Sequence, residues 1–104
     1  MSFFLFILFV GVVIVSQAPQ TKAMALALTV NSTFDSSDTA IGDGKCDSDT
    51  DTAGDQCTLR AAIEETNVAT GTNPVLINFD IPESGVQTIF PQTALPVISR
   101  TSVT

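Results

Sequence analysis

At 104 residues the chain has room for one small domain and little more. Eleven acids against four bases give a net charge of −7, which repels phosphate backbones and excludes nucleic acid as a natural partner. There is no His, the commonest general base and transition-metal ligand, and no Trp or Tyr to stack against sugar rings.

The chain opens on "MSFFLFILFVGVVIV", with thirteen residues from Phe3 to Val15 that are apolar throughout. A membrane-spanning helix needs about 20 such residues, so the run is short for an anchor and fits the apolar core of a secretory signal peptide. Small-residue cleavage patterns follow at Ala23-Met24-Ala25 and Ala25-Leu26-Ala27; Ser16-Gln17-Ala18 is disfavoured by Pro19. No Lys or Arg precedes the apolar run, which is atypical. We expect a signal peptide over 1–25 and a secreted or cell-surface product, with an uncleaved membrane tether as the alternative. From Leu26 onward eleven acids face only Lys45, Arg60 and Arg100, a net charge of −8.

"LALTVNSTF" predicts a short strand, and Asn31-Ser32-Thr33 has the form of an N-glycosylation sequon. Residues 35–56 are polar, rich in Asp, Ser, Thr and Gly, and predict a long loop. Cys46 and Cys57, eleven positions apart, are the only cysteines. In an exported chain such a pair favours a disulfide, which would pin half of the loop. A thiolate metal site is the competing reading, and two cysteines without His make a poor one. The aspartates between them suggest calcium, which takes six to eight oxygens. Asp47, Asp49, Asp51 and Asp55 fall at positions 1, 3, 5 and 9 of an EF-hand-like loop. Thr52 stands where that loop needs Gly, and Thr58 where it needs a bidentate Glu. No cofactor is expected, with calcium on these four aspartates kept as a testable extra.

"CTLRAAIEETNVATG" predicts a helix capped by the Thr58 hydroxyl. Leu59, Ala62, Ile63 and Thr66 share one narrow face, with Arg60, Glu64 and Glu65 pointing elsewhere. Arg60 and Glu64 can pair at i, i+4. Glu64 and Glu65 read most simply as a solvated face. Arg60 is expected to tie the helix to Asp43 or to loop carbonyls through its several donors. Asn67 and Gly71 supply exit signals. In "PVLINFDIP" the residues Val75, Ile77, Phe79 and Ile81 alternate with Leu76, Asn78 and Asp80, which predicts a strand with one face buried. "VQTIFP" and "LPVIS" read as two more short extended runs, split by Pro91 and Pro96.

"GDGKC…CTLRAAIEETN" resembles the CSLREA domain, a short module with a Gly-Asp-Gly-x-Cys run, a variable polar loop and a Cys-(Ser/Thr)-Leu-Arg block. Gly42, Asp43, Gly44, Cys46, Cys57, Thr58, Leu59, Arg60, Ala62, Ile63, Glu65 and Asn67 match the pattern; Thr66 departs from its usual Ala. "INFDIPESGVQTIFPQTALPVIS" is similar to the segment that commonly follows the module. The likeness covers residues 28–104. It implies a mainly β chain with one capping helix: an N-terminal cap plus the first coil of a right-handed parallel β-helix, a solenoid. The implied organisation is a signal peptide at 1–25, a cap module at 26–71 and an incomplete β-helix at 72–104.

A solenoid exposes an apolar face along its axis and needs terminal caps with a polar outer side. One coil falls short of the three or more repeats that stability usually takes, so the chain reads as a fragment of a longer protein. The expected role is non-catalytic: a cap for an exported, adhesin-like surface protein. Its expected partner is its own downstream coils, with surface carbohydrate or protein ligands bound beyond them. The alternative is the N-terminus of a secreted β-helix polysaccharide lyase or glycoside hydrolase with catalytic residues beyond Thr104. A run of adjacent aspartates gives neither the fixed separation nor the distinct environments that paired catalytic carboxylates need.

Overall fold

A computed structural model describes residues 24–72, 74–100 and 103. The expected leader lies outside the described residues, apart from Met24 and Ala25. The elements run β1 (Leu26–Val30), α1 (Leu59–Val68) and β2 (Val75–Phe79), and β1 and β2 form a two-stranded parallel sheet. With one ten-residue helix against two five-residue strands, the fold is mixed α/β, which corrects the mainly β expectation. Among the described residues no helix is long and apolar enough to cross a membrane.

The register pairs Leu26 with Val75, Leu28 with Ile77 and Val30 with Phe79, so the apolar positions of the two strands stack on one face. Leu26 N–H donates to Pro74 O at one end, and Asp80 N–H donates to Val30 O at the other. In a parallel ladder these bonds require Pro74, Leu76, Asn78 and Asp80 to turn their backbone groups toward β1. Val75, Ile77 and Phe79 therefore turn theirs away. On that side Val103 forms a parallel bridge with Val75.

β2 stops at Phe79, short of the expected Ile81, because β1 ends first. Asn31 and Ser32 leave the sheet and donate their N–H groups to Cys57 O. The alternation predicted a buried face, yet only Val75 is fully buried; Phe79 is 59% exposed. "VQTIFP" and "LPVIS" form no strands. Pro91 and Pro96 each lack the donor that a ladder needs, and residues 91–100 instead run as an extended strap beside α1.

The core is small. Leu28 and Val30 from β1 meet Ala61 and Ala62 from α1, and Cys46 and Cys57 fill the end of the cluster. Small alanines let the helix lie close against β1. Cys46 and Cys57 form the expected disulfide, both buried.

Candidate functional site

Thr58 sits at the N-cap with extended backbone, as its hydroxyl predicted. Its Oγ1 accepts from Ala61 N–H at 3.0 Å and donates to Ser36 O at 2.6 Å. The same atom starts the helix and ties the long loop to it. Three further attachments hold α1, and each uses a residue of the signature.

The first corrects the solvated-face reading of Glu65, which is 1% exposed. Its Oε2 accepts from Gly42 N–H at 2.6 Å and its Oε1 from Gly44 N–H at 2.5 Å. Both glycines have positive φ, 102° and 81°, a backbone shape that L side chains rarely adopt. This shape turns two N–H groups toward one point and makes an anion cradle, here filled by the protein's own carboxylate. Asp43 is spent inside the same turn, where its Oδ1 accepts from Lys45 N–H. Glu64, half-buried, accepts from Asp38 N–H through Oε2.

The second attachment is Arg60. Its expected partner Asp43 is out of reach, because Arg60 and Glu65 lie five residues apart, about 140° around the helix. Arg60 instead forms a two-pronged ion pair with Asp35, Nε to Oδ1 at 3.1 Å and Nη2 to Oδ2 at 3.0 Å. The two side chains are 10% and 5% exposed. Nη2 and Nη1 also reach Thr93 O and Ala94 O, carbonyls of the segment after β2 and not of the 35–56 loop that was expected to supply them. Asp35 Oδ2 also accepts from Gln92 N–H at 2.6 Å. The expected Arg60–Glu64 pairing does not form: four of the five Arg60 donors go to Asp35, Thr93 and Ala94, and Glu64 accepts from Asp38 N–H instead.

The Arg60 bond, and then the Gln92 N–H, hold the Asp35 carboxyl below its ordinary range. A depressed carboxylate value stabilises the fold above the ordinary value and loses that contribution as pH falls through the folded one. Acid below about pH 4 should therefore release the strap. Asp35→Asn should remove that acid-side loss while lowering the urea midpoint of the helix signal at neutral pH, as followed by circular dichroism. Arg60→Lys, which keeps the charge but loses the fork, should also lower that midpoint.

The third attachment is Asn67. Its Nδ2 donates to Val97 O at 2.9 Å, and its Oδ1 accepts from Ser99 N–H at 2.9 Å and from Ser99 Oγ–H. Arg100 closes the strap by donating to Ala69 O and Thr72 O beyond the end of the helix. So the loop grips one flank of α1 and the strap grips another, leaving little of the helix in solvent.

Asp38 sits between loop and helix. Its Oδ1 accepts from Ala40 N–H, while its buried Oδ2 has no hydrogen-bond partner. Burial first, then the charges of Glu65 and Asp43, push its carboxyl above the ordinary value, against the pull of the Ala40 N–H. A raised acid contributes stability below its unfolded value and loses it as pH rises through the folded one. Asp38→Asn keeps the Oδ1 acceptor and places a donor where the bare oxygen sits. Its urea midpoint should exceed that of the natural chain at about pH 7 and lose this advantage near pH 3. An equal midpoint at neutral pH would contradict this.

Of the four calcium candidates, Asp47 and Asp49 use their carboxylates in the loop's turns, while Asp51 and Asp55 take part through backbone groups. Asp47 Oδ1 accepts from Asp49 N–H and Gln56 N–H. Asp49 accepts from Asp51 N–H and from the Thr52 hydroxyl, and the hydroxyl first, then the Asp51 N–H, hold its carboxyl low. Asp55 offers its backbone carbonyl to Asn31 Nδ2 at 2.8 Å. Among the described residues no three of His, Cys, Asp and Glu stand close enough to share one ion. The sequon asparagine is likewise engaged: Asn31 Oδ1 accepts from Cys57 N–H at 2.8 Å, so the side chain staples the disulfide loop to the end of β1.

Bordered by α1, β2 and the strap, an open apolar hollow of about 400 Å³ is lined by Leu59, Ile63, Ile77, Phe79, Ile98, Arg100 and Val103. Here the stripe predicted for α1 divides. Ala62 and Thr66 are fully buried, whereas Leu59 and Ile63 border the hollow. The outward backbone edge of β2 runs beside it. Sequence reasoning gave Thr58 and Arg60 a fastening role but read Glu65 as solvated and Asn67 as a helix exit. Membership of Glu65 in the signature, which Glu64 lacks, is the signal that could have separated the buried acid from its half-exposed neighbour. No family model matches the chain, and no curated protein or solved structure matches it.

Proposed function

We propose that residues 26–71 form the non-catalytic N-terminal cap, and residues 72–104 the first coil, of an exported, right-handed parallel β-helix protein of the adhesin-like surface type. The carrying observation is the asymmetry around the sheet. On one side α1 and the disulfide loop close over β1. On the other, β2 offers an outward edge with Val103 laid parallel on Val75, beside an apolar hollow. That is what a solenoid's first rung requires: one closed end and one end ready for the next coil. The likeness of "GDGKC…CTLRAAIEETN" to CSLREA modules supports the same reading. Its attachments read as structural, since the polar signature side chains Asp43, Thr58, Arg60, Glu65 and Asn67 bond to backbone or to a partner side chain of this chain. The cap's partner is then its own downstream coils, and ligands would meet the flank of those coils.

A graft tests this. Residues 26–104 replace the native N-terminal cap of a soluble right-handed parallel β-helix protein. The decapped host should aggregate, and the graft should sediment as a monomer. A graft that aggregates like the decapped host would overturn the proposal.

A further inference from the structure

We propose that a signal peptidase cuts the chain between Ala25 and Leu26, and that β1 is placed to begin at the new N-terminus. The inference rests on the export reading. Two small-residue patterns overlap here, one ending at Ala25 and one at Ala27, and the sheet separates them. Leu26 N–H donates to Pro74 O at 3.2 Å, Leu26 pairs with Val75, and its side chain packs against the core cluster. A cut after Ala27 would remove that rung and that side chain. A cut after Ala25 leaves β1 whole, from Leu26 to Val30. Met24 is 79% exposed, Ala25 is exposed, and neither belongs to β1. A cut after Ala18 would put Pro19 immediately past the scissile bond and leave seven extra residues ahead of the strand.

The chemistry suits the geometry. Water hydrolyses the Ala25–Leu26 amide; the leader leaves with a carboxylate on Ala25, and the freed nitrogen takes up a proton as the Leu26 ammonium. That nitrogen is the one already aimed at Pro74 O. As an ammonium it donates a charge-assisted bond, shorter and stronger than the amide's. Processing therefore tightens the first rung of the sheet.

The full chain is expressed with its leader in a secreting host, and the exported product is read by N-terminal sequencing and intact mass. The expected start is Leu26. Ala25→Leu, which puts a bulky residue just before the bond, should cut the yield of processed chain at least tenfold. Ala27→Leu, on the exposed side of β1, should leave the start at Leu26. A mature chain starting at Leu28 or Pro19 overturns the proposal and leaves export standing. So does processing blocked by Ala27→Leu but not by Ala25→Leu. A chain retained in the cell with its leader intact overturns both. The sequencing of the natural chain does not depend on how either variant folds.

Discussion

Glu65→Gln should lower the hydrogen-exchange protection of the α1 amides by about 100-fold. Gln presents one acceptor where Glu presents two, so one glycine N–H loses its partner or faces the amide's own donors. Hydrogen bonds to a charged group are worth about 1.5–3 kcal/mol each, and a buried donor left unmet adds to the loss. A total of about 3 kcal/mol corresponds to about two decades at 1.4 kcal/mol per tenfold. Local opening free energies of this kind are read directly by amide exchange. Gly44→Ala separates the two ingredients of the cradle. A Cβ there meets nothing within 4 Å, so its cost is backbone strain at a φ of 81°, of the order of 1–3 kcal/mol. Protection in Glu65→Gln equal to the natural chain would show that the carboxylate does not hold the turn.

The second large effect belongs to the disulfide. Replacing Cys46 and Cys57 together by Ser should destabilise the loop and α1 by about 2–3 kcal/mol, the chain-entropy contribution of a loop of this size. The loss should not add to that of Glu65→Gln. Gly44 lies two residues from Cys46, and Cys57 adjoins the Thr58 cap, so bridge and cradle fasten the same loop to the same helix. Residues sharing one network couple by about 0.5–3 kcal/mol. Amide exchange on the two variants and their combination should show the combined loss smaller than the sum. Simple additivity would place the bridge and the cradle in independent units.

How far the sequence could be read depends on the range of each interaction. Thr58 was legible because a cap is settled within four residues. β1 and β2 were legible from alternation alone. Their parallel pairing with each other was not legible, because no local signal says which strand a strand will meet. The two later runs failed as strands because alternation says which side chains share a face, not whether a neighbour will accept the backbone. Pro91 and Pro96 withhold donors, and the carbonyls of Thr93, Ala94 and Val97 go to Arg60 and Asn67 instead. Glu65 was misread because a helical glutamate belongs in solvent unless something compensates its burial. The compensation comes from two glycines more than twenty residues upstream. Arg60 was read in kind but not in partner, since the choice between Asp43 and Asp35 depends on which flank of α1 the loop occupies. The aspartates of 47–55 looked like a ligand set, yet the bonds of Asp47 and Asp49 serve the loop's own turns.

On the capping proposal, β2 is an unfinished edge awaiting a coil. In the isolated chain the amides of Ile77 and Phe79 point away from β1, whereas Leu76 and Asn78 face it. Amide exchange should therefore find Leu76 and Asn78 protected, with Ile77 and Phe79 exchanging near the rate of open chain. In the graft onto β-helix coils, Ile77 and Phe79 should gain protection comparable to that of their neighbours. If their exchange is the same with and without following coils, β2 does not seed a solenoid and the capping account fails.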